Sequence, residues 1–171
     1  MEVSSILGGL VYVKDGPMLG KFDEITMPEV KNKIQENKAT DAIGARRLPG
    51  LSLDPMECTF KTSNFNRKFH AMACNPYETY NLQIRANLAV SKGTGKTEGK
   101  LYKVELRGWF SSAKEPSIKQ GEGGACEYKL EVNALELVID GVSTRKIDID
   151  NYIYTVNGED VVPDFRKNLG L

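Results

Sequence analysis

The sequence predicts a mainly β protein of antiparallel sheets, a sandwich or a small open barrel, with one flanking helix and one extended arm. Three observations carry that prediction. Apolar and polar residues alternate through three long runs, the signature of strands with one buried face. Asp-Gly and Asn-Gly pairs punctuate the chain where tight hairpins need positive φ. One short stretch alone carries apolar residues at spacings of three and four.

Taken in order, Asp15-Gly16 marks a first tight turn. The segment Glu29–Arg47 is long, charged and weakly alternating, and reads as an extended hairpin arm without a core of its own. Cys58 alternates within Met56–Phe60. The helix spans about residues 64–74: Ser63 or Asn64 caps it, Phe65, Phe69, Met72 and Ala73 form its stripe, and Asn75-Pro76 ends it. Leu82, Ile84, Ala86, Leu88 and Val90 make the first long strand, and Tyr102, Val104, Leu106, Gly108 and Phe110 the second. The polar stretch Ser91–Gly99 between them is a hairpin tip. A long polar loop, Ser112–Gly124, follows. Cys126, Tyr128, Leu130, Val132 and Ala134 then share one face, after which Leu135, Leu137 and Ile139 become the apolar set. That flip of phase predicts a β-bulge near Ala134–Leu135, or a strand that crosses from one sheet to another. Asp140-Gly141 and Asn157-Gly158 mark two further hairpins.

The length of 171 residues suits one domain, 1–171, and the 40% hydrophobic content is enough for a core. The 23 basic and 23 acidic side chains cancel. A protein that grips duplex DNA carries a basic surplus to displace counterions, and none is present. Near-neutral proteins also associate readily, because nothing repels the copies. Met1–Leu10 lacks a basic start and a long apolar run, so no signal peptide is expected, and no run approaches a membrane span.

No catalytic or metal site is predicted, and no cofactor. Gly93-Thr94-Gly95-Lys96-Thr97 imitates a phosphate-binding loop, but Val90 stands where the first glycine belongs and a strand follows where a helix is required. His70 and Cys74 share a helix face without the further groups that a nucleophile or zinc site needs. Glu105 lies between Lys103 and Arg107, and Lys129 between Glu127 and Glu131, a pattern of cross-strand charge pairing. Trp109 falls with the polar set of its strand, as a second-face core residue or as an anchor for a subunit contact.

From Val104 onward the chain resembles the major tail tube family of contractile-tailed phages, which includes the tubes of R-type pyocins. The resemblance rests on Val104-Glu105-Leu106-Arg107-Gly108 with the later Lys119-Gln120-Gly121-Glu122. It continues through Leu137-Val138-Ile139-Asp140-Gly141, Ile147-Asp148 and Val156-Asn157-Gly158-Glu159-Asp160 to the terminus Arg166-Lys167-Asn168-Leu169-Gly170-Leu171. Val11–Gly16 and Thr26-Met27-Pro28-Glu29-Val30 fit the same pattern more loosely, with Met27 and Glu29 departing from it. The resemblance implies two roughly orthogonal sheets with a flanking helix. It also implies homo-hexameric rings stacked into a tube inside a sheath, in a virion tail assembled in a bacterial cytoplasm. Tape-measure, sheath, initiator or baseplate, and terminator proteins are the implied partners, with DNA as passing cargo and no membrane.

Further expectations follow from that reading. A bore that must not hold DNA is expected to present polar and acidic side chains, with Glu127, Glu131 and Asn133 as candidates and Lys129 held by its acidic neighbours. The arm, with Asn32, Ile34, Glu36, Asn37 and Ala42 as contact candidates, is expected to reach a neighbouring ring. The odd count of three cysteines reads as buried free thiols; the alternative is a Cys74–Cys126 bond between subunits, since both lie at element ends. Two other readings stand beside the phage tail: a pyocin-like injection tube without DNA, and a small-ligand-binding β-barrel.

Overall fold

The computed structural model describes residues 3–37, 44–91, 97–121 and 123–170. Its strands are β1 (Val3–Val13), β2 (Met18–Lys21), β3 (Glu24–Thr26), β4 (Asn32–Asn37), β5 (Arg46–Leu53) and β6 (Met56–Thr62). Helix α1 (Arg67–Ala73) comes next. Then follow β7 (Tyr80–Ser91), β8 (Thr97–Lys114), β9 (Cys126–Ile139), β10 (Val142–Asp148), β11 (Ile153–Val156), β12 (Glu159–Asp160) and helix α2 (Pro163–Leu169). All pairings are antiparallel. The main sheet runs β12-β11-β10-β9-β8-β7-β1-β2, with β6 added to β9 and β3 to β6; β4 and β5 form a second sheet. The path ends at β2 and β12, so the sheet is open, and the expected alternative of a ligand-binding barrel is not formed.

The phase flip in β9 has a clear structural origin. Arg107 pairs with Ala134 and Gly108 with Val132, so Asn133 is the extra residue, one position before the predicted site. Below it, Cys126–Val132 pair with β6; above it, Ala134–Ile139 pair with β10. Bulge and change of partner therefore coincide. The bulge kinks the strand, and each half keeps its apolar side inward. Tyr128, Leu130 and Val132 are buried before it, and Leu135 after it. The bulged backbone is not wasted, because the Ile149 amide donates to the Asn133 carbonyl at 3.0 Å. Gly108 stands opposite the bulge, where a Cβ would run into the backbone carbonyl of Glu131.

The folded sheet encloses Val11, Phe60, Leu82, Ile84, Leu106, Phe110, Leu130 and Ile147. Helix α1 plugs this core with Phe69, whose ring meets Phe22, Phe60, Phe110 and Tyr128 at 4.8–5.5 Å between centroids. The helix begins later than its apolar spacing suggests. Asn66 is the cap, its side chain accepting from the amides of Lys68 at 3.0 Å and Phe69 at 3.2 Å while also donating to the Leu19 carbonyl. Ser63 and Asn64 are occupied elsewhere: Ser63 donates to Asp23, and the Asn64 amide donates to Thr62. Phe65 thus lies outside the helix and is exposed.

The three predicted turns hold, with Asp15, Asp140 and Asn157 in the left-handed region and Gly141 and Gly158 beside the last two. Strand β8 extends to Lys114, so the loop after it starts later than Ser112. Helix α2 was not predicted. Pro163 opens it and Gly170, at φ 75°, closes it, the pairing of first-turn proline and terminal glycine typical of helix ends.

Candidate assembly surfaces

The arm is a hairpin of its own. β4 and β5 pair with each other and with no other strand among the described residues. Its second strand continues past Arg47 to Leu53. The Asp54 amide donates to the Lys31 carbonyl at 2.8 Å and Asn32 to that of Gly50 at 3.3 Å, which pins the base. Farther out, Arg47 and Glu36 form an ion pair at 3.1 Å. Ile34 and Leu51 stay exposed at 62% and 61%. Asn37 ends β4, and Ala42 lies outside the described residues. An isolated hairpin is marginal in water, so exposed apolar residues on one are unusual.

Glu127, Lys129 and Glu131 lie together on the face of β9 turned away from the core, each half-buried. Lys129 pairs with Glu57 of β6 at 3.3 Å, and Ser111 of β8 donates to Glu131 at 2.9 Å. Glu57 and Ser111 were not singled out from sequence, because their membership depends on which strands flank β9. Asn133, as the bulged residue, is set apart from the regular alternation of the other three. Trp109, opposite Glu131 in the β8–β9 ladder, is 37% exposed, so the chain itself does not enclose it in a second core.

Beyond the bulge the outer face holds a charge network. Burial of Glu105 acts to raise its pKa, but hydrogen bonds from Lys14 at 2.7 Å, Lys103 at 3.0 Å and Gln83 at 3.1 Å outweigh it and hold the carboxyl at about 2. Gln83 accepts from Arg85, whose guanidinium lies 5.6 Å over the Tyr12 ring. Arg107 bridges Asp148 and Asp150, each at 2.9 Å. This is a rigidly paired surface with no unsatisfied buried side-chain polar atom among the described residues.

His70 and Cys74 do meet, with Nε2 and Sγ 3.5 Å apart, while Nδ1 lies 3.1 Å from Tyr128 Oη. No group of three or more His, Cys, Asp or Glu residues suited to a metal occurs among the described residues. Cys74 is exposed, whereas Cys58 and Cys126 are buried. Burial pushes the Cys58 thiol up to about 12. Cys126 is only 1% exposed, so an intersubunit Cys74–Cys126 bond would first require uncovering its thiol. The loop Gly93–Lys96 that imitates a phosphate site lies outside the described residues; the strands flanking it, β7 and β8, pair as a hairpin up to Ser91 and Thr97. No helix among the described residues is long and apolar enough to cross a membrane.

An open sheet folded over one core, a separate two-stranded hairpin and a charge-paired patch on the outer face make up a mainly β fold. Residues 5–170 match the family of phage tail tube protein FII, and the chain belongs to that family. No curated protein matches it. Solved structures share its fold at low identity. A chain of the sheath–tube complex of PVC, an extracellular contractile injection system, is similar at TM-score 0.55 and 13% identity, covering 77% of this chain and 87% of that one. A chain of the PVC sheath/tube terminator is similar at 0.51 and 14%, covering 77% and 92%. A chain of the tube-terminating cap of the anti-feeding prophage is similar at 0.56 and 12%, covering 76% and 87%.

Proposed function

We propose that this chain is the tube subunit of a contractile phage tail, forming stacked homo-hexameric rings around a bore through which DNA is ejected. The observation that carries the reading is the family match over 5–170, joined to a hairpin arm on which Ile34 and Leu51 stay exposed. The role is structural, not catalytic, and the whole of 1–171 acts as one assembling unit. Sheath and terminator proteins are its partners, as the architecture of the similar injection-system structures supports. Tape-measure and initiator or baseplate proteins complete the set, in a tail assembled in the host cytoplasm. The arm, through Asn32, Ile34, Glu36, Asn37 and Ala42, reaches the next ring.

The β9 outer face is the candidate bore lining. Glu127 and Glu131 repel phosphate, Asn133 adds no positive charge, and Glu57 neutralises Lys129. The same subunit design serves a pyocin-like particle that carries no DNA, and the likeness to injection-system tubes favours keeping that reading. Electron microscopy of the purified protein at high concentration, seeded with tail initiation complexes, is the test. Tubes with an axial channel are expected. A species that stays monomeric by light scattering under seeding overturns the proposal.

A further inference from the structure

The strands at the two ends of the main path, β2 and β12, differ in charge and in shape, while β3 leaves a further edge beside β6. β12 is Glu159–Asp160, and Asp164 follows in the first turn of α2. Arg166 takes up Asp160 at 2.8 Å, while Glu159 and Asp164 are exposed. Beside this edge lies an apolar groove of about 520 Å³ between the base of the arm and α2, lined by Leu51, Leu53, Tyr152, Tyr154, Val161 and Phe165. Leu51 and Val161 remain 61% and 50% exposed there. At the opposite edge, β2 carries the exposed Lys21. Met18 and Phe65 frame a depression beside it and are 53% and 56% exposed.

We propose that the β2 edge of one copy docks head-to-tail on the β12 edge of the next, with Met18 and Phe65 entering the groove and Lys21 facing Glu159. This rests on the tube reading and names the contact within a ring. Charge decides the pairing. Two β2 edges together would set Lys21 against Lys21, and two β12 edges would set acid against acid, so a two-fold dimer through either edge is disfavoured. The head-to-tail pairing joins opposite charges and leaves a free edge of each kind, which is what a closed ring or a filament requires. A two-residue edge strand offers few main-chain hydrogen bonds, so apolar anchors in a groove must supply most of the attraction.

A charge swap tests this directly. Lys21→Glu and Glu159→Lys alter exposed side chains, and circular dichroism melts should match wild type for both. Each alone is expected to lower the assembled fraction about tenfold, and the double variant on one chain to restore it, since the pair is then reversed at every interface. Zero-length carbodiimide cross-linking of mixed light and heavy-isotope tubes should join Lys21 of one copy to Glu159 or Asp164 of another. Wild-type tubes with unaffected single variants and no such cross-link overturn this inference alone, as would Val161 and Phe65 remaining open to hydroxyl-radical labelling in the tube, which would leave the groove to another partner. Wild-type protein that fails to assemble even when seeded sinks the tube reading, and this contact with it.

Discussion

Glu105 is the residue on which most of the outer-face network converges. Its folded pKa of about 2 lies below the ordinary value of 4.5, so its contribution is complete above about pH 4.5 and is lost as pH falls through 2. The full shift corresponds to roughly 3 kcal/mol. Solvent around the half-exposed Lys14 reduces this to about 2 kcal/mol. Glu105→Gln should therefore destabilise the chain by about 2 kcal/mol at pH 7. Urea unfolding across pH should show that deficit shrinking to nothing near pH 2; a constant deficit would contradict the role given to the charge. The thiols provide a second check at this scale. Cys74 is exposed, while Cys58 and Cys126 are closed off. Mass spectrometry after brief alkylation should find one adduct per native chain and three per denatured chain, and rapid native labelling of Cys126 would contradict the core described.

At the scale of elements, the crossing of β8 and β9 and the start of α1 are the sensitive points. Gly108→Ala drives a methyl into the Glu131 backbone beside the bulge, where neither strand can yield without losing its register. A loss of about 3 kcal/mol is expected. Gly123→Ala, in open space, should be near neutral in the same denaturant titration. For α1, Asn66→Ala removes two cap hydrogen bonds and the tie to Leu19. It should cost about 1–2 kcal/mol, against under about 0.5 kcal/mol for Asn64→Ala, whose side chain caps nothing. Equal losses would return the cap to the position that apolar spacing alone suggests.

For the whole molecule, the arm separates folding from assembly. β4 and β5 make a sheet apart from the main one, and the core is complete without Ile34. Removing Asn32–Ala42, or placing an aspartate at Ile34, should leave the melting transition nearly unchanged while abolishing tube elongation in electron micrographs. Full-length tubes from either variant would show that the arm is not the stacking element. The core and the surfaces left for assembly are thus largely separate. Side chains of the folded sheet satisfy one another within the chain, while the exposed apolar residues include Ile34, Leu48 and Leu51 on the arm and Met18, Phe65 and Val161 near β2 and β12.

What the sequence determined by itself was the local grammar. Alternation marked β7, β8 and β9, the Asp-Gly and Asn-Gly pairs marked the β1–β2, β9–β10 and β11–β12 turns, and the phase flip placed the bulge within a residue of Asn133. These features are carried by neighbours along the chain, so spacing is enough to read them. Helix α2 has local end signals in Pro163 and Gly170 but buries no residue, so no apolar stripe marks it along the chain. Tertiary structure decided the rest. Asn66 rather than Asn64 caps α1 because Leu19 offers it a carbonyl, and Lys14 serves Glu105 because β1 lies against β7. β9 changes partner from β6 to β10, and the groove beside β12 exists only because the arm base and α2 face each other across it. Each depends on the relative placement of segments far apart in the chain, which burial of the common core settles and local spacing does not encode.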